Sequence, residues 1–189
     1  FIKEGTPQGG ILSGEFFDLC INSIFSLDLS GTLILYCDDI SLINTGSNAA
    51  ELKFNIEKDL KKISDWLDLH ILTPNISKTK YLCFHNKKQH ENFTEAALNL
   101  KFRGITLERV DSCRLLGLIL DESLSFNKHI EEIQKKVIPF AYAVKRIRKS
   151  ISQKTALMLY FAFVQSRLIY MNIIWSAAPA YAMNMIEIT

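Results

Sequence analysis

Apolar residues at Phe16, Phe17, Cys20, Ile21, Ile24 and Phe25 share one face of a helix predicted over residues 13–26. Ser13 suits its N-cap, and that placement turns Phe16 and Phe17 into a core. Two short β-forming runs follow, Thr32-Leu33-Ile34-Leu35-Tyr36 and Ile40-Ser41-Leu42-Ile43. Cys37-Asp38-Asp39 separates them, so the pattern predicts a hairpin with two acids at its tip. Asn48 then opens a long amphipathic helix with Glu51 in the capping-box position. Its buried stripe is Leu52, Ile56, Leu60, Ile63 and Leu67, with Trp66 as an anchor near the end. Residues 79–84 read as a strand, 86–98 as a polar loop, and 100–102, 105–110 and 115–120 as further strands. From about Asn127 to Trp175 the period is helical, with breaks expected at Pro139 and Ser150-Ile151-Ser152 and hence three pieces. The pattern change near Asp121-Glu122 separates an α+β half from a helical half.

At 189 residues the chain has room for one or two domains with a substantial core. Hydrophobic residues make up 48% and charged residues 22%, which excludes the disordered classes. The run 156–175 is apolar, but Gln165, Arg167 and Asn172 interrupt it, so it reads as a buried bundle helix rather than a membrane span. Four cysteines, Cys20, Cys37, Cys83 and Cys113, lie far apart with no C-x-x-C pair. That spacing suggests neither zinc nor a disulfide framework, and an intracellular, reduced chain is the simplest reading. The two sequons, at Asn75 and Asn92, are read as chance matches.

Net charge is +2, but residues 128–154 hold eight Lys/Arg against two Glu, a local +6 that leaves −4 elsewhere. A basic block beside an acidic body is the footprint of a polyanion binder. A solvated helix face explains it equally well.

Tyr36-Cys37-Asp38-Asp39 carries the strongest local chemistry. Adjacent carboxylates at a tight turn repel unless a cation holds them. Hard oxygen ligands suit Mg²⁺, which takes one or two carboxylates and fills its shell with water and substrate phosphates. An ordinary Asp-Asp turn accounts for the tetrapeptide alone at least as readily. The four histidines, His70, His85, His90 and His129, have no spacing that suggests a metal cluster.

The order of the neighbouring motifs changes the balance. Gly5-Thr6-Pro7-Gln8-Gly9-Gly10-Ile11-Leu12-Ser13 resembles the G-x-P-Q-G-s-x-L-S-P segment of reverse transcriptases, and Tyr36-Cys37-Asp38-Asp39 resembles their Y-x-D-D turn. Trp66 with Asn75-Ile76-Ser77-Lys78-Thr79 resembles their W…N-x-x-K-T segment, and Leu115-Leu116-Gly117-Leu118-Ile119-Leu120-Asp121 their Y-L-G-x-x-L-D stretch. His129-Ile130 then resembles the opening of the thumb. Within the family the chain is most similar to enzymes of non-LTR (LINE-like) retrotransposons, from Gly5 to about Trp175. It departs from their pattern at Gly10, Gly14 and Cys37.

The resemblance implies an α+β fold. Residues 1–122 are a partial polymerase palm, an antiparallel sheet with packed helices and a Y-x-D-D hairpin, and residues 123–189 are an all-helical thumb. It implies nucleotide addition with two Mg²⁺ ions, Asp38 as principal ligand and Asp39 assisting. Lys78 matches a lysine near the triphosphate that stabilises or protonates the leaving group. Gln8 bonds along the base pair or its sugar, and Gly9 admits close backbone approach. Tyr36 stands beside the turn, as a substrate contact or as a packed strand residue. Leu116 and Gly117 approach the primer end, with a buried strand as the minimum reading. Lys135, Lys136, Lys145, Arg146, Arg148 and Lys149 meet the nucleic-acid backbone.

The implied partners are an RNA template, a DNA primer and deoxynucleoside triphosphates, with no membrane and with nucleus or cytoplasm both open. The family's further aspartate and its fingers lie upstream of the matched segment, so the 189 residues alone are expected to be inactive. Two other readings stand beside this one: a non-catalytic nucleic-acid-binding remnant, and an α+β domain whose helices bind a protein.

Overall fold

The structure is a computed structural model and describes residues 9–84 and 98–184. It mixes helices with small sheets, an α+β arrangement. Contacts divide the described residues into two compact units, one reaching Tyr81 and resuming at Leu98 to Arg109, the other comprising 82–84 and everything from Val110. This division falls before the change of pattern near Asp121-Glu122. Among the described residues the strands pair two by two, three pairs antiparallel and one parallel, rather than in one antiparallel sheet. No helix among them is long and apolar enough to cross a membrane.

In the first unit, α1 (Ser13–Asn22) runs into a 3₁₀ turn at Ser23–Ser26. Leu12, not Ser13, takes the cap position, and the turn that starts the helix closes through Ser13 N–H on Gly10 O at 3.2 Å. Of the expected apolar face only Ile21 and Ile24 are buried; Phe16 and Phe25 are more than half exposed. The helical period was legible, but nothing in the described residues covers its N-terminal half.

Strands β1 (Thr32–Tyr36) and β2 (Asp39–Ile43) form the expected hairpin in antiparallel register, from Thr32 opposite Ile43 to Tyr36 opposite Asp39. Helix α2 (Ala49–Leu69) follows. Asn48 Oδ1 accepts from the Glu51 N–H, and the Glu51 carboxylate accepts from the Ser47 N–H, both at 2.9 Å, so the N-terminus is capped in both directions. Ile63, Trp66 and Leu67 are buried, and Trp66 stacks on His70 while its indole N–H reaches Ser23 Oγ at 3.2 Å.

The same helix carries Asp59, which has no exposure to solvent. Its carboxylate accepts from the N–H groups of Ser30 (2.9 Å) and Gly31 (2.8 Å), just before β1, and from Asn44 Nδ2 (2.8 Å), just after β2. One carboxylate thus ties both roots of the hairpin to α2. Gly31 cannot carry a side chain there, because a Cβ would lie 2.6 Å from Ile43 O.

Beyond α2 the strands are shorter than expected: β3 (Lys80–Tyr81), β4 (Lys101–Phe102), β5 (Ile105–Thr106) and β6 (Glu108–Arg109). β3 pairs with β6 in parallel and β4 with β5 antiparallel, and α2 packs on β4. Arg103 fastens that packing by donating to Ser64 Oγ and to Asp68 Oδ1. The expected polar loop, 86–98, lies almost wholly outside the described residues.

The second unit opens with a hairpin where one strand was expected. β7 (Ser112–Leu115) and β8 (Leu118–Asp121) pair antiparallel around Leu116-Gly117. A continuous apolar run looks like one strand, but positive φ at both Leu116 (47°) and Gly117 (83°) reverses the chain. Asp121 then organises the connection to α3 (Asn127–Ile147), its carboxylate accepting from the N–H groups of Ser123, Ser125 and Phe126 and from both serine hydroxyls.

Helix α3 passes through Pro139 without interruption. Proline removes one backbone bond and bends a helix, yet Ile130, Ile133 and Val137 on the same helix are buried in the core. Arg167 Nη1 donates to the nearby carbonyl of Lys136 at 2.9 Å. The breaks fall instead between α3 and α4 (Gln153–Tyr160), where Ser152 Oγ caps by accepting from Thr155 N–H, and at Tyr170-Met171. α4 continues through a π-helical segment, Phe161–Gln165, into α5 (Ser166–Ile169), followed by α6 (Asn172–Trp175) and α7 (Ala180–Met183). Of the apolar run 156–175 only Val164 and Trp175 are buried; Leu157, Met158, Phe161, Ile169 and Ile173 are exposed, so this is not the fully buried bundle helix expected.

Burial pushes the Asp59 carboxyl up, but hydrogen bonds from Ser30, Asn44 and Gly31 together with Lys62 bring it below its ordinary value. Such a group contributes stability above the unfolded carboxyl value of about 3.9, and that stability is lost as pH falls below it through the folded value. Asp59→Ala orphans three donors and is expected to cost roughly 3 kcal/mol in urea unfolding at pH 7. It should also flatten the loss of stability between about pH 5 and pH 3. An unchanged urea midpoint would remove Asp59 as the clamp.

Candidate functional site

The chemistry-bearing turn sits where two β-strands meet in a two-residue loop, Cys37-Asp38, with Tyr36 and Asp39 as the closing pair. Cys37 takes positive φ (51°), which a two-residue hairpin loop requires at its first central position and which glycine usually supplies. Asp38 and Asp39 are both exposed, as is Tyr36, which shares the outward face of the ladder with Asp39. Among the described residues no ion pair engages either carboxylate, so their repulsion is answered by solvent alone. Two outward carboxylates with free lone pairs fit a hard cation that completes its shell with water and phosphate oxygens. No group of three His, Cys, Asp or Glu among the described residues makes a fuller cage.

The other expected site residues fall in separate places. Gln8 lies outside the described residues. Gly9 is exposed with φ of 82°, and a Cβ there would meet nothing within 4 Å, so conformation rather than crowding favours glycine. Lys78 is exposed in a turn built by Asn75, whose carbonyl accepts from the N–H groups of Lys78 and Thr79, each at 3.1 Å. No ion pair joins Lys78 to Asp38 or Asp39. Leu116 and Gly117 form the β7–β8 turn, and Tyr170 Oη donates to Leu116 O at 2.6 Å.

The six basic candidates on and after α3 are all exposed, but they are not equivalent. Lys136 Nζ lies 2.6 Å from Glu132 Oε1, and Arg114 Nη2 binds the same carboxylate at 2.5 and 2.6 Å. Lys136 is therefore already neutralised. Lys135, Lys145, Arg146, Arg148 and Lys149 carry no ion pair among the described residues. Between the end of α3 and α4, an open groove of about 500 Å³ is lined by Val144, Arg148, Lys149, Gln153, Ala156, Leu157 and Tyr160. The sequence reading missed Gln153 and Tyr160 as members of a surface shared with Arg148 and Lys149. The signal that could have found them is the short connection after Ile147, which folds α4 back on α3.

With this geometry in hand, the comparisons decide the family. The family model of reverse transcriptases (RNA-dependent DNA polymerases) matches residues 1–120. The chain belongs to this family. Among its relatives is a probable RNA-directed DNA polymerase from transposon BS of Drosophila melanogaster, 22% identical over 200 residues that cover 99% of this chain and 21% of the relative. The RNA-directed DNA polymerase from mobile element jockey of Drosophila funebris is 22% identical over 201 residues, covering 100% of this chain and 21% of the relative. A retrovirus-related Pol polyprotein from type-1 retrotransposable element R1 of Nasonia vitripennis is 21% identical over 185 residues, 94% of this chain and 54% of the relative. The chain thus spans about a fifth of the length of the first two and about half of the third. No solved structure matches it.

For this member of the reverse transcriptases, the Glu132 pairing sets the charge available on α3. Hydrogen bonds from Arg114 and then Lys136 lower the Glu132 carboxyl to about 2. The pair therefore adds stability above the unfolded glutamate value of about 4.3 and loses it as pH falls toward the folded value. An NMR titration of the Glu132 carboxyl carbon should find a midpoint near 2 in the unaltered chain and one near 4.3 when Arg114 and Lys136 are both replaced by Ala. An ordinary midpoint in the unaltered chain would dissolve the network.

Proposed function

We propose that this chain is the part of a retrotransposon RNA-directed DNA polymerase that holds the catalytic cations and grips the nucleic acid. Residues 1–122 then serve as the rear of the palm and residues 123–189 as the thumb, within an enzyme of the non-LTR kind. The observation that carries the reading is the pair of free carboxylates, Asp38 and Asp39, on a hairpin whose roots are fixed by Asp59, in a chain of the reverse transcriptase family. In nucleotide addition the primer 3′-hydroxyl attacks the α-phosphorus of a deoxynucleoside triphosphate and pyrophosphate leaves. Magnesium, when bound, lowers the pKa of the hydroxyl and neutralises charge on the phosphates. Asp38 is the principal ligand and Asp39 the supporting one. Gln8 and Gly9 border the nucleotide, with Tyr36 beside the metal turn, and the exposed ammonium of Lys78 meets the leaving pyrophosphate. The Leu116-Gly117 turn offers its backbone to the primer end. Lys135, Lys145, Arg146, Arg148 and Lys149 neutralise phosphates of template and primer.

Catalysis is tested in a polypeptide that joins this chain to the upstream polymerase segment of one of its relatives. There Asp38→Asn keeps the shape of the side chain and removes its charge, and is expected to lower primer extension by about 100-fold or more, the scale of losing one preorganised electrostatic contact. Asp39→Asn should be milder and Lys78→Ala milder still. Full extension by the Asp38→Asn protein would refute the site. Nucleic-acid binding without any extension by the unaltered sequence would leave a binding remnant instead.

Binding is tested on the 189 residues themselves with an RNA–DNA hybrid. The logarithm of affinity should fall against the logarithm of salt by roughly 0.7–0.9 for each neutralised phosphate. Replacing Lys145, Arg146, Arg148 and Lys149 by Ala should lower that slope by roughly 3, whereas Lys136→Ala should leave it unchanged because Glu132 already holds that charge. Equal effects from both changes would deny the distinction between free and paired cations.

A further inference from the structure

The β7–β8 turn combines strain with an unusual restraint. Leu116 sits at φ 47°, a left-handed conformation that costs a non-glycine residue roughly 1 kcal/mol or more and persists only where the surroundings impose it. The imposing group is Tyr170. Its hydroxyl donates to the carbonyl of Leu116 at 2.6 Å, and its ring stands so close to Gly117 that a Cβ there would lie 3.2 Å from Cε1. Tyr170 is itself fixed from behind, since its own carbonyl accepts from the Trp175 indole N–H at 2.9 Å. Trp175 is buried and meets the ring of His129 edge-on, and His129 Nδ1 accepts from the N–H of Ile119, in the strand that leaves the turn. The contacts close a loop: turn, Tyr170, Trp175, His129, and back to β8.

We propose that Tyr170 is a positioning residue for the primer end, holding the Leu116-Gly117 backbone in the one conformation that admits it. The proposal rests on the reading above in which this turn approaches the primer. Tyr170 touches the turn and not the reacting atoms. Its hydroxyl restrains the Leu116 carbonyl, while its ring reserves the space beside Gly117 for glycine alone. A glycine in the turn allows close backbone approach, and the tyrosine keeps that glycine from sampling its other conformations.

The test uses the 189-residue chain and two fluorescent RNA–DNA hybrids of equal length. One has a recessed DNA 3′ end, and in the other a hairpin loop closes that end. The unaltered chain should favour the recessed end. Tyr170→Phe keeps the ring and removes one hydrogen bond, and should reduce that preference by roughly three- to tenfold while leaving affinity for the closed hybrid unchanged. A purely structural role would weaken both hybrids together, with a matching fall in thermal midpoint, and would overturn the proposal. So would a preference that survives Tyr170→Phe intact. If the unaltered chain shows no preference for the recessed end, the primer reading of the turn itself fails and the proposal with it.

Discussion

Three donors converge on the Asp59 carboxylate in a space closed to solvent, and the placement of the acidic hairpin follows from that convergence. A two-stranded ladder is at best marginally stable by itself. Here its entry and exit are tied to one point on a 21-residue helix that is capped at its N-terminus and buried along Ile63, Trp66 and Leu67. A buried charge is costly unless each of its lone pairs is used, and the two backbone N–H groups and one amide use them. The exposed pair Asp38 and Asp39 can therefore be left without partners, because rigidity is supplied at the other end of the hairpin. The second unit uses the same device, with Asp121 gathering five donors to turn β8 into α3.

Much of this was legible in the sequence. The Asn48 cap, the long helix behind it and the acidic hairpin all follow from local patterns, and the structure reproduces them. What local pattern could not supply is the purpose of Asp59. An acid in an amphipathic helix normally reads as a surface residue, and only the fold brings Ser30, Gly31 and Asn44 to it. The turn at Leu116-Gly117 was hidden for a related reason. Leucine is a poor choice for positive φ, so the chemistry of the turn residues argued against reversal there, and a tyrosine 54 residues further on overrides it. Pro139 shows tertiary packing overriding local preference in the opposite sense, by keeping a helix whole.

Charge on the helical surface is likewise a property of geometry rather than of composition. Glu132 is shared by Arg114 and Lys136, so a carboxylate that looks like a minor dilution of a basic block instead consumes part of it at a definite place. The free cations concentrate toward the end of α3, beside the apolar groove with Tyr160, where aromatic and basic groups adjoin. Phosphate attraction and base stacking could act there on neighbouring parts of one strand.

The π-helical segment Phe161–Gln165 carries one residue more than an α-helix would need for the same rise. It accompanies the parallel stack of Phe163 on Phe140, 4.9 Å between centroids, and the seat of Arg167 over the Phe140 ring. Deleting a single residue there would let ordinary helix form and would swing everything downstream by about 100°. Arg167 and Tyr170 would leave their partners together. In this stretch the number of residues is therefore constrained as strongly as their identity: a single-codon deletion, silent in most surface helices, would disengage the tyrosine from the strained turn without altering any residue that touches it.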